Sequence, residues 1–193
     1  MRLTCPTSCL PIPFRARAQA DSATLCSAFR TADIEHPAAG GGIYCTPRAY
    51  SQILQTLLLP PPTPTSPAHP LSLSATSLNS LFTGTLPDSA RPGLALMAPL
   101  VRPGLPPHSS PNWSTGLCIF PDRKVDAAED GGKEWGSLEG MAGWGGAGNT
   151  TFGVDRKAGV AWVWSSNLLA PSDARADEGV ARCERALYEG LGY

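Results

Sequence analysis

Lysine is scarce and basic charge is nowhere concentrated. The only lysines in 193 residues are Lys124, Lys133 and Lys157, the arginines form no run, and the formal net charge is −1. A nucleic-acid partner would need Lys and Arg clustered on one face, so none is expected. No apolar stretch approaches the roughly 20 residues that span a bilayer, so no membrane partner is expected either. The N-terminus lacks the apolar core of a secretory signal. Pro6, Pro11 and Pro13 interrupt it, and Arg15 and Arg17 stand where a cleavage site would lie. Cys5, Cys9, Cys26, Cys45, Cys118 and Cys183 are irregularly spaced and include no C-x-x-C. The expectation is free thiols in a cytoplasmic protein, not a disulfide scaffold. His36, His69 and His108 have no carboxylate or cysteine at ligand spacing, so neither a metal nor another cofactor is expected. No G-x-S-x-G elbow occurs.

Proline and glycine, by contrast, are plentiful at 20 each; average usage of proline is only about 5%. Much of the proline lies between Pro60 and Pro111, so the compact part is smaller than the chain. Residues 1–33 show no helical or strand period and are read as a tail unrelated to the rest of the chain. Residues 34–193 are read as the structured part, carrying proline-rich loops at 60–70 and 87–111.

Within that part, Thr46-Pro47 supplies an N-cap followed by proline at the first helical position. Tyr50, Ile53, Leu54, Leu57 and Leu58 then predict an amphipathic helix over Pro47–Leu58. Pro60-Pro61-Pro62 ends it by removing amide donors. A second helix is predicted from Ser74, with Leu78, Leu81 and Phe82 inward. TGLCIF (Thr115–Phe120) reads as a strand, and 122–133 as a charged surface loop in which Asp126 and Glu129-Asp130 are solvated. Gly145–Val154 and Val160–Leu168 read as strands of a hairpin turning at Asp155–Gly159. Val160, Trp162 and Trp164 alternate with Ala161 and Val163, so both faces of that strand are apolar and both are covered. The tryptophans are read as core. Pro171-Ser172-Asp173 starts a last helix whose predicted face is Val180, Cys183, Leu187 and Leu191. Helices, an antiparallel sheet and a closing helix make the fold class α+β.

One stretch is more specific: GWGGAGNTTFGVDRKAGVAWVWSSNLL. With the earlier glycine-rich entry HPAAGGGIYCTPRAYSQILQTLL, it resembles the C-terminal part of the serine β-lactamase-related family. That family covers class C β-lactamases, carboxylesterases and fungal acyltransferases. The resemblance runs from about Ile34 to Leu191 and is weak between Asp88 and Glu139. It implies a partial β-lactamase/transpeptidase-like fold with the C-terminal helix packed on the sheet and the N-terminal catalytic half missing. In the family a Lys/His-Thr-Gly or Trp-Gly-Gly/Trp-Ser-Gly box opens an edge strand beside the nucleophile. Trp144, Gly145 and Gly146 match that box, and the family's oxyanion-binding amide comes directly after it, at Ala147. The chemistry is sound, because acyl transfer needs backbone donors aimed at the developing oxyanion and glycines admit the acyl group.

The resemblance also shows what is missing. The family nucleophile is the serine of S-x-x-K. The three lysines here are preceded three positions earlier by Pro121, Asp130 and Val154, so no S-x-x-K exists. The family's tyrosine motif is absent too, because Tyr50-Ser51 comes after the glycine loop instead of before it. The sequence therefore implies no catalytic residue of its own. A small-molecule ester or acyl substrate is implied only for a completed enzyme, of esterase or transesterase type. Two alternatives stand beside it: a non-catalytic binding protein derived from the fold, or an incomplete gene model without function. Self-association through an exposed sheet is expected. Asn112-Trp-Ser and Asn149-Thr-Thr fit the glycosylation sequon and are read as chance.

Overall fold

The computed structural model describes residues 45–65, 68–101, 111–120, 140–146, 148–166, 168 and 173–193, without the side chains of 98–101. All fall in the compact unit Cys45–Tyr193. The expectations for residues 1–33, the glycine-rich loop at 39–42 and the charged stretch 122–133 lie outside the described residues.

Helix α1, Pro47–Thr56, begins as its sequence predicts: the Thr46 hydroxyl accepts from the Ala49 amide at 3.2 Å. Leu54 and Leu57 are buried and Tyr50 and Leu58 pack beside them. Ile53 corrects the expected stripe, being 45% exposed. The inward arc runs through Tyr50, Leu54, Leu57 and Leu58, which leaves the i+3 position of that arc in water. His69 anchors the connector after α1. Its Nδ1 accepts from the Leu71 amide at 3.2 Å, so its Nε2 carries the proton and donates to the Thr56 carbonyl at 2.9 Å. Helix α2, Ala75–Ser80, is capped by Ser74 as expected and buries Leu78.

Segment 87–111, expected to be an extended loop, contains an eleven-residue helix, α3, Arg91–Val101. Pro92 sits in the first turn, where its missing amide costs nothing. Leu, Ala and Met, good helix formers, make up most of the rest and carry the helix past Gly93; Pro99 falls near its C-terminal end and removes one amide donor there.

Five strands form one antiparallel sheet in sequence order: β1 (Asn112–Trp113), β2 (Cys118–Ile119), β3 (Ala142–Gly146), β4 (Thr150–Asp155) and β5 (Val160–Trp164). The predicted strand Thr115–Phe120 is therefore only two residues long. Ser114 turns the chain before it, its hydroxyl accepting from the Leu117 amide at 2.9 Å. Gly145–Val154 is likewise not one strand but the end of β3, a turn, and β4. The pairing of β4 with β5 is as expected, from Thr151 opposite Trp164 to Asp155 opposite Val160. Strand β5 stops at Trp164, short of the expected Leu168.

Both faces of this hairpin are covered. Phe152, Val154, Ala161 and Val163 pack with Leu54 of α1, Leu57 at its C-terminal cap and Leu78 of α2. On the other face Trp162 packs with Cys118, Phe120 and Met141. Helix α4, Ala174–Leu191, lies on that face as well. The Trp164 ring fits against Gly179, and the Tyr188 hydroxyl donates to Asp155 Oδ2 at 3.0 Å, so α4 runs parallel to β4. Its buried face is Ala176, Val180, Glu184 and Tyr188. This corrects the expected face, since Cys183 and Leu191 are exposed and Leu187 is half-buried. Two tertiary demands rotate the helix. Only glycine admits the Trp164 ring, and the buried Asp155 carboxylate takes a donor from Tyr188. At its C-terminus Gly192 adopts φ 86° and the Tyr193 amide returns to the Tyr188 carbonyl at 2.9 Å.

Candidate functional site

The Trp-Gly-Gly box occupies the last three positions of β3. Opposite it on β4 stand Phe152 (Trp144), Thr151 (Gly145) and Thr150 (Gly146). On the other side β2 reaches only to Gly143, opposite Cys118. The box was expected on an edge strand. In this sheet β3 is central, yet among the described residues no strand pairs with the outer edge of Trp144–Gly146.

The strand is held closely from behind. The Thr151 hydroxyl donates to the Trp144 carbonyl at 3.2 Å. A Cβ on Gly143 would collide with the Phe152 carbonyl oxygen, so this approach of β3 to β4 requires glycine. The Trp144 ring packs edge-on to Trp113, with centroids 4.7 Å apart and planes at 87°, and Leu94 of α3 joins the same cluster. Trp144 thus anchors the strand in the core, and Gly145 and Gly146 carry the accessible backbone. Ala147 lies outside the described residues.

The three-residue turn between Gly146 and Thr150 ends at Asn149, with φ 49°; such turns close with a left-handed residue. Asn149 ties this turn to two other segments. Its Nδ2 donates to the Leu168 carbonyl at 3.0 Å, and its Oδ1 accepts from the Asp173 amide at 3.4 Å. The Ser166 hydroxyl lies 3.2 Å from the Gly148 carbonyl and 3.1 Å from that of Asn149, and donates to this pair. Asp173 in turn caps α4, accepting from the Arg175 and Ala176 amides at 3.0 and 3.2 Å. One chain of polar contacts therefore runs from the box turn to the start of the C-terminal helix. Asn149 and Ser166 were not singled out from the sequence as site residues. Asn149 sits in a Gly-Asn pair, a composition that tolerates positive φ, and that was the available signal. Both sequon asparagines are structurally engaged, Asn112 through an Oδ1 that accepts from the Leu86 amide at 2.9 Å.

Electrostatics arise from these contacts. The Ala176 amide and then the Arg175 side chain hold the Asp173 carboxyl below its ordinary range. Burial, and then the Asp173 charge, push Asp177 above its own. Tyr50 packs edge-on to Phe152 at 5.3 Å. Burial, then the nearby Cys45, raise its phenol, which favours the neutral form. Among the described residues no group of three or more His, Cys, Asp or Glu could hold a metal. Also among them, no helix is long and apolar enough to cross a membrane. Cys45, Cys118 and Cys183 form no disulfide.

No protein-family model and no curated protein matches the sequence. Solved structures do match in fold. Against unliganded simvastatin synthase (LovD) from Aspergillus terreus, as the selenomethionyl derivative, the TM-score is 0.63 at 19% identity. That match covers 88% of this chain and 38% of the other. Against the LovD6 mutant of the same enzyme the TM-score is 0.62 at 20% identity, covering 79% and 35%. The chain thus spans little more than a third of those structures. Over that part it has the β-lactamase-like fold of LovD, an antiparallel five-stranded sheet with a C-terminal helix.

Proposed function

We propose that residues 34–193 form the C-terminal part of a β-lactamase-related serine acyl-transfer domain of esterase or transesterase type. In this reading Trp144–Ala147 is the strand that lines the acyl group, and the Ala147 amide donates to the oxyanion. The observation that carries it is the outer edge of the box, with which no strand pairs among the described residues, within a LovD-like sheet. A backbone donor there is fixed before reaction and costs no reorganisation, which is how oxyanion sites accelerate acyl transfer. Tryptophan in place of a lysine or histidine in the box removes a cation that could pair with a substrate carboxylate. A neutral ester or acyl donor suits the strand better. LovD is a simvastatin synthase, and a small-molecule acyl substrate for a completed enzyme agrees with that likeness.

By itself the 193-residue chain performs no turnover, because neither S-x-x-K nor the family tyrosine is present. The same absence favours a second reading, a non-catalytic binding protein that keeps the sheet. The test is exposure of the purified chain to a fluorophosphonate probe, read by intact mass. No adduct is expected. Stoichiometric labelling of a single serine would show a nucleophile that the reading denies.

A further inference from the structure

We draw no further inference here: the strongest candidate, the exposed apolar face that Leu96 and Met97 form on α3 beside the box strand, carries nothing because no feature of the structure shows what covers it.

Discussion

Asn149 performs two separable tasks beside the box. Its backbone supplies the positive φ that closes the β3–β4 turn, and its side chain bridges to Leu168 and Asp173. Glycine would keep the first and lose the second, whereas alanine would lose both. A left-handed conformation costs an ordinary residue about 1–2 kcal/mol, and each lost hydrogen bond about 1 kcal/mol. Asn149→Ala should therefore be less stable than Asn149→Gly by about 1 kcal/mol in urea unfolding, with both below the parent. Equal midpoints for the two variants would show that the turn does not demand the left-handed residue.

Two elements are shaped by glycines that accept an aromatic ring or a neighbouring strand. The Trp162 ring lies on Gly153, where a Cβ would come within 2.8 Å of it; the Gly143 Cβ would meet backbone instead. Overpacking of this kind costs about 1–3 kcal/mol. Gly153→Ala should cost less in a Trp162→Leu background than in the parent, because the obstructing ring is gone. Gly143→Ala should cost the same in both. A double-mutant cycle on thermal or urea stability reads the coupling directly, and no coupling between Gly153 and Trp162 would contradict the packing described. At the start of α4 the argument is electrostatic. Asp173 has a lowered folded-state pKa because the Ala176 amide and Arg175 bond its charged form. The stability it contributes is present above the unfolded carboxylate value of about 3.9 and disappears as pH falls through the folded one. Asp177, raised chiefly by burial, acts in the opposite sense. Protection of the Arg175 and Ala176 amides should fall with acid below about pH 4. In Asp173→Asn, which still caps but does not ionise, it should persist. Parallel loss in both proteins would remove Asp173 from the explanation.

Over the whole molecule the described surface includes two exposed apolar side chains on α3. Leu96 is 79% exposed and Met97 50% exposed, adjacent in a helix whose one charged residue is Arg91. Contiguous exposed apolar surface binds hydrophobic dyes and promotes association. The chain should bind such a dye and elute heavier than its monomer mass. Leu96→Gln with Met97→Gln should lower both signals and leave the unfolding midpoint within about 0.5 kcal/mol of the parent, since neither side chain is in the core. An unchanged dye signal in the double variant would place the apolar surface elsewhere.

Much of the architecture is legible in the sequence. Capping and apolar spacing locate α1 and α2, because such signals are local. The β4–β5 hairpin is legible from two adjacent apolar runs and a short turn. Tertiary contacts decided the rest. The α4 face turned toward Tyr188 and Gly179 because Asp155 and Trp164, on strands far away in sequence, set what that face must offer. Helix α3 forms in a proline-rich segment whose own prolines, Pro92 near its start and Pro99 near its end, mask the good helix formers between them. The box was recognisable from three residues. The edge that no described strand pairs with, however, depends on where the two-residue strand β2 stops, and the link to α4 through Asn149 joins positions 24 residues apart. Local composition determines which elements can form; only the packed sheet determines which backbone edge is left uncovered, because pairing and side-chain contact are made between segments that carry no record of each other.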